Sequence, residues 1–310
     1  MTAESLAVGG TARRRRGVRE VRKAVEGGIQ VVFLICGTLA VGFVLLISIY
    51  LILSGLPAIR QIGLTDFLFG RVWDPTNATT GAEFGILPFI LTSIYGTAGA
   101  VVLGVPVGLL TAVYLAKIAP PKVAVAIRTA VQLLAGIPSV VYGLVGMIVL
   151  VPAIQRTFSL SSGACLLAAM IVLAIMILPS IINVAENALR AVPKEYEEAS
   201  LALGATKLET YFKVTLPAAG SGVAAAIVLG VGRAIGEAMA IIMVSGNVPN
   251  MPSVFAPVRF LTTGIVSGMG YAQVGSLYHQ ALFSIGLVLF LFIMLINVLL
   301  NVLIKKKGDA

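Results

Sequence analysis

Pro193–Pro217, PKEYEEASLALGATKLETYFKVTLP, is a polar island between two long apolar runs. It reads as two short helices. Pro193 suits a first helical position, Glu195, Glu197 and Glu198 load the turns where the positive end of the helix dipole favours acids, and Gly204 supplies a stop. Thr206-Lys207-Leu208-Glu209 has the spacing of a capping box, so a second helix starts at once and runs to Pro217. Tyr196, Ala199 and Leu203 share one face of the first helix, a small apolar stripe beside acids that can enter a partner's groove. The plainer alternative is a solvated hairpin linking two membrane spans.

The rest of the chain decides what this hairpin belongs to. Of 310 residues, 58% are hydrophobic and 11% charged, with a mean hydropathy of +1.02, which excludes a soluble protein of this size. The fold class expected is all-α, a polytopic membrane protein. A net charge of +9 could suggest nucleic acid, but the basic residues flank apolar runs and no aromatics are interleaved with them. No nucleic-acid partner is expected. Cys36 and Cys165 lie in apolar segments and the only histidine is His279, so neither a disulfide framework nor a metal centre is indicated.

About 20 apolar residues cross a bilayer. On that basis six spans are expected near 29–54, 86–115, 129–151, 164–186, 218–245 and 279–304. Residues 1–27 form a basic tail with the run Arg13-Arg14-Arg15-Arg16, residues 28–304 the membrane domain with its polar segment at 187–217, and 305–310 a second tail. With both tails, the 117–128 turn and the 187–217 segment on the cytoplasmic side, only Arg60, Arg71, Arg156 and Arg259 of the 22 Lys and Arg lie outside, and Arg233 falls within a span. The positive-inside rule supports that orientation. The arginine run orients the chain, with binding to anionic lipid as the alternative. Trp73, Phe67 and Phe69 suit a membrane interface, and Asn77-Ala78-Thr79 has the form of a glycosylation sequon that three residues often match by chance.

A second stretch, Gly230–Asn247 (GVGRAIGEAMAIIMVSGN), places Arg233 near mid-bilayer. An arginine there costs about 2.5–3.5 kcal/mol on insertion scales and needs a partner or a watery path. Glu237 follows four residues on, within reach on a helix, so a neutralising pair that locks the bundle is one reading. The other is a filter: the planar guanidinium matches an oxyanion and Glu237 balances it. Gly222, Ala226, Gly230, Ala234 and Ala238 recur every four residues, a stripe that admits a close helix neighbour. Pro106, Pro138 and Pro179 are expected to break their spans, and Gly136-Ile137-Pro138-Ser139 could open irregular backbone, and with it Ser139, onto a cavity.

These residues carry a resemblance. Glu198-Ala199-Ser200, then Gly204, then Val214-x-Leu216-Pro217 is similar to the EAA motif of ABC importer permeases, with Ser200 and Val214 as mild departures. Ala135–Gly143 (AGIPSVVYG) and Gly232–Glu237 (GRAIGE) resemble the permeases of the phosphate-specific transport system. Trp73-Asp74-Pro75 and Met243–Asn247 (MVSGN) point to the PstC type. Ala238 stands where that family usually has Thr, and the loop near Met269 lacks an acid often found there. The resemblance implies a type I importer fold of six membrane helices and a heterodimer with a PstA-like permease. It also implies a PstB-like ATPase dimer, which uses the ATP, and a PstS-like phosphate-binding protein.

On that resemblance Tyr196, Glu198, Ala199 and Gly204 couple to the ATPase, while Arg233, Glu237 and Ser139 line the substrate pathway. The chain itself has no G-x-x-x-x-G-K-[ST] loop, so no enzyme activity and no cofactor of its own are expected. A permease for sulfate or molybdate, and an ATP-independent secondary transporter, remain the rival readings.

Overall fold

The computed structural model describes residues 3–76 and 81–308, with side chains for 26–76, 81–299 and 302. The Asn77 sequon and the side chains of both basic tails lie outside the described residues. Contacts divide the chain into residues 1–53 and 54–310. The described residues of the first lie within one long helix, α1 (Ala3–Ile62), and from Glu26 to Leu53 none of its side chains is buried.

The second unit is built on α7 (Leu166–Ala191), which packs against both α3 (Leu87–Val113) and α11 (Gly220–Gly236), themselves in contact. Small residues set the separation. A Cβ added at Gly104 would meet Ile177 Cδ1 at 2.9 Å, one at Gly108 would meet Ile181 Cγ2 at 2.8 Å, and one at Gly222 would meet Ala188 Cβ at 2.4 Å. The expected small-residue stripe is therefore a packing surface, with Ala226 and Ala234 buried against α7. The first amides of α7 find acceptors on a distant loop: Leu166 N–H donates to Ala256 O at 3.2 Å and Leu167 N–H to Val254 O at 2.9 Å.

Among the described residues, five helices are long and apolar enough to cross a membrane: Glu26–Ile62, Leu87–Ile118, Ser139–Thr157, Leu166–Ala191 and Leu277–Leu299. Lys207–Ala218 and Gly220–Gly236 together make a sixth, bent by 74°. Four of the expected spans match closely. The third does not: α4 (Pro121–Gly136) ends before extended Ile137 and Pro138, and the membrane-length helix starts only at Ser139 with α5 (Ser139–Val145). A prolyl ring forces its predecessor out of the helical region, which ends α4 there. The fifth expected span, 218–245, is also interrupted, because Glu237 is extended (φ −75, ψ 133) and a separate α12 (Met239–Val244) follows. Pro106 and Pro179, by contrast, sit inside unbroken helices.

Proline acts instead through three π turns. Tyr114–Ile118, Gly146–Leu150 and Tyr211–Thr215 each close with an N–H five residues back, from Ala119, Val151 and Leu216, and the next residue is Pro120, Pro152 or Pro217. Widening the turn relieves the clash between a prolyl ring and the carbonyl four residues earlier, so the helix runs on through Pro152 and Pro217, whereas at extended Ala119 it ends and Pro120 caps a new one. The first π turn joins α3 to the α4 region, the second leads into α6 (Val151–Thr157), and the third lies between α9 (Lys207–Thr210) and α10 (Leu216–Ala218).

A smaller core lies at one end. Trp73 and Phe67 are buried there, Trp73 edge-on to Phe84 at 5.6 Å and tilted on Phe89 at 5.3 Å. The expected interfacial role therefore suits Phe69 alone, which is exposed. Trp73 and Phe84 pair across a two-residue antiparallel ladder, β1 (Trp73–Asp74) and β2 (Glu83–Phe84). A short α2 (Leu64–Phe69), α13 (Leu261–Met269) and α14 (Leu277–Gly308) complete the unit, and Ser284 Oγ of α14 donates to Gly55 O at 2.6 Å.

Candidate functional site: a broken span and a polar hairpin

Arg233 occupies the last turn of α11, where the negative end of the helix dipole offsets its charge. The expected pair with Glu237 does not form. Helical spacing ends at Gly236, so the two side chains diverge: Arg233 Nη1 donates to Ser180 Oγ on α7 at 3.3 Å, while Glu237 Oε1 accepts from Ala240 N–H at 3.0 Å, capping α12. Arg233 thus has no carboxylate partner among the described residues. Thr262 Oγ1 of α13 donates to the extended Glu237 carbonyl at 2.7 Å, which satisfies an acceptor that the break frees.

The second break lies beside the first. α5 packs on α12, with a Cβ at Gly143 meeting Ala240 Cα at 2.9 Å. Tyr142 of α5 bridges back over the Ile137–Pro138 interruption, donating to Leu134 O at 2.7 Å. Ser139 opens α5 half-buried, with no hydrogen bond to Arg233 or Glu237. Open space surrounds Gly136 and Gly236, where an added Cβ would meet nothing within 4 Å. Two interrupted helices, a guanidinium and several hydroxyls therefore converge on one region, and an oxyanion could replace Ser180 as the partner of Arg233 there. Ser180, Tyr142 and Thr262 escaped sequence reasoning because each acts from a different helix.

The polar hairpin forms as its sequence requires. α8 (Lys194–Ala202) is followed by Gly204 at φ 87 and by Thr206, which caps α9 through its side chain while Glu209 reaches back to the Thr206 N–H at 3.1 Å. Those bonds to Thr206, with Lys213 at 3.2 Å, pull the Glu209 carboxyl down to about 2. Tyr196, Glu198, Ala199 and Gly204 are all exposed. Glu195, Tyr196, Ala199, Ser200, Leu203 and Val214 line an open groove of about 480 Å³. Ser200 Oγ lies 2.9 Å from Thr210 Oγ1 and joins α8 to α9 within the hairpin, while Glu197 ties the hairpin to the bundle through Lys117 at 2.5 Å.

Behind it lies a charged node that sequence reasoning missed. Buried Glu186 of α7 accepts from Arg128 Nε at 2.8 Å and Arg190 Nε at 2.9 Å. Both arginines also donate to Leu115 O, at 3.4 and 3.0 Å. That carbonyl lies in the first π turn, whose pattern assigns its partner to Pro120, a residue without an N–H.

A family model described as "Binding-protein-dependent transport system inner membrane component" matches residues 104–307, a range that holds both breaks and the whole hairpin. The chain belongs to this family. It is a multi-pass inner-membrane permease of the ABC importer type. The permease is 38% identical over 296 residues to the probable ABC transporter permease protein YqgH of Bacillus subtilis (strain 168), covering 93% of each chain. It is 35% identical over 265 residues to the phosphate transport system permease protein PstC of Pasteurella multocida (strain Pm70), covering 78% of this chain and 81% of that one. A solved structure of the inward-facing MetNI methionine ABC transporter superposes with a TM-score of 0.57 at 21% identity, over 72% of the permease and 95% of that chain. That likeness speaks to the fold, and it agrees with the importer architecture expected from the EAA spacing.

Proposed function

We propose that this permease forms half of the translocation pathway of an ATP-driven inorganic phosphate importer. The observation that carries the reading is Arg233: a guanidinium at the end of a broken membrane helix, held by one hydroxyl and no carboxylate among the described residues. A planar donor fork of that kind suits a tetrahedral oxyanion, and its single weak tether at 3.3 Å is easily exchanged for one. The names carried by relatives such as PstC support phosphate among the oxyanions. Glu237, fixed by Ala240 N–H, keeps a negative charge near the path so that the anion is not trapped, and Ser139 offers a further hydroxyl at the neighbouring break.

In this reading the exposed hairpin docks on a PstB-like ATPase dimer, with Tyr196 and Ala199 as the contact stripe, Glu198 beside them and Gly204 as the turn. A PstA-like permease completes the pathway, and a PstS-like protein delivers phosphate from the other side of the inner membrane. Both termini then lie in the cytoplasm, and ATP is bound by the ATPase, not by this chain. Closure of the ATPases supplies the free energy that shifts the bundle between its two openings.

Vesicles holding the four components test the proposal through uptake of labelled phosphate, with ATP present or absent and with unlabelled sulfate and molybdate as competitors. Uptake that needs ATP and yields only to phosphate is the expected result. Suppression by sulfate or molybdate overturns the substrate, and flux indifferent to ATP overturns the mechanism.

A further inference from the structure

Glu197 sits where the hairpin meets the membrane helices. A single oxygen of its carboxylate, Oε1, lies 2.5 Å from Lys117 Nζ and accepts from Thr215 Oγ1 at 3.2 Å. The ion pair is largely shielded, with side-chain exposures of 12% for Lys117 and 19% for Glu197, and Thr215 is fully buried. Lys117 belongs to the π turn Tyr114–Ile118 and Thr215 to the π turn Tyr211–Thr215. One carboxylate of α8 therefore holds a π turn on each of two helices.

Each of these turns stands at a strategic point. The first ends the Leu87–Ile118 helix, and the second immediately precedes the 74° bend from which α11 runs to Arg233. A π turn holds its extra residue only while proline and side-chain contacts favour it, and its loss shifts the helix register by one residue, about 1.5 Å along the axis. In the first turn Arg128 and Arg190 already occupy the displaced Leu115 carbonyl.

We propose that Glu197 is the coupling clamp of this permease, a positioning residue that passes displacement of the hairpin to both π turns and so to the helix bearing Arg233. The proposal rests on the importer reading, since it needs an ATPase that moves α8. It assigns a task to a side chain facing away from the docking groove, distinct from that of Tyr196, Ala199 and Leu203, which line it. Through the Lys117 arm the same motion reaches the Glu186 node, so that α3, α4 and α7 receive it together.

The test measures uptake and ATP hydrolysis in the same vesicles holding the complete complex, and reads their ratio. Glu197→Gln retains the size of the side chain and an acceptor for Thr215 but removes the charge that holds Lys117, and Lys117→Met removes the other partner. In both variants the complex assembles and hydrolyses ATP, while transport per ATP falls about fivefold or more. The exchanged pair, Lys117→Glu with Glu197→Lys, recovers part of the ratio. An unchanged ratio in both single variants overturns the clamp, and so does loss of the assembled complex, which would make the contact merely structural. If wild-type vesicles carry sulfate or molybdate instead of phosphate, the substrate reading falls, and the ratio measured with that anion still decides the clamp. Wild-type flux indifferent to ATP overturns both.

Discussion

The guanidinium of Arg233 points to Ser180 Oγ at 3.3 Å on a neighbouring helix, whereas Glu237, four residues along, turns its carboxylate to Ala240 N–H. Two charges spaced for an ion pair are parted by the end of a helix. Each is then free for separate use, and each can be removed without stranding the other.

Replacing Arg233 by Gln is expected to abolish uptake while leaving assembly with the other subunits intact. The site loses its positive charge but keeps a side chain that can donate to Ser180. Arg233→Lys retains the charge without the planar fork and is expected to transport weakly. Uptake assays beside pull-down of the complex check both, and normal uptake by Arg233→Gln would refute the role given to this residue.

Glu237 has a structural duty that can be separated from its charge. Glu237→Gln keeps an oxygen for Ala240 N–H, so its melting temperature in detergent should match the wild type while its transport rate changes. Glu237→Ala removes the cap from α12 and is expected to lower stability by about 1 kcal/mol. Equal melting temperatures for the two variants would contradict the capping assignment.

At Gly204 the constraint is conformation, not space. An added Cβ would meet nothing within 4 Å, yet φ is 87. Gly204→Val is expected to cost about 1–2 kcal/mol in the turn, and Gly204→Asn, which tolerates this region, much less. In the assembled complex the valine variant should hydrolyse ATP with reduced transport, and the asparagine variant should stay close to wild type. A valine variant that couples normally would exclude Gly204 from the hairpin's function.

The cap at Glu209 predicts a pH dependence. Its folded carboxyl titrates near 2, below an ordinary value of 4.5, because the Thr206 backbone and hydroxyl and then Lys213 favour the charged form. A depressed pKa means that the contribution is complete above the ordinary value and is lost as pH falls from there through about 2. Carboxyl NMR shifts of Glu209 in the solubilised protein should therefore still report the ionised form at pH 3.5. A midpoint near 4.5 would show that the capping box is open.

The hairpin was legible in detail because its signals are local: a positive-φ glycine, a Thr and a Glu three apart, acids in a first turn. Four of the six spans were legible for the same reason, since length and hydropathy alone define them. The interruptions at Ile137 and Glu237 were not equally visible. Gly136-Ile137-Pro138-Ser139 announces one through its proline, but Gly236-Glu237 carries no such mark, and its extended residue is held by contacts that appear only in the fold: α12 packed on α5, the Thr262 hydroxyl on the Glu237 carbonyl, and Ala240 N–H on its carboxylate. The π turns had a readable signal that passed unused. Pro120, Pro152 and Pro217 each stand directly after one, yet Pro217 was expected only to end a helix. Glu186 carried a local signal in Arg190, four residues on, but the node was illegible because Arg128 lies 58 residues away, and Glu197 was illegible because Thr215 lies 18 residues away and Lys117 on another helix.

The notches that α3 and α11 offer to α7 have a mechanical consequence. Ile177 and Ile181 are lodged over Gly104, Gly108 and Gly230 with backbone, not flexible side chains, on the receiving side. Sliding any of these helices by part of a turn would drive an isoleucine into a helix wall, so the three behave as one stiff slab that tilts but does not shear. That leaves α4, and α5 and α12 packed on each other, as the parts free to move against the slab, joined to it through extended backbone at Ala119, at Ile137 and Pro138, and at Glu237.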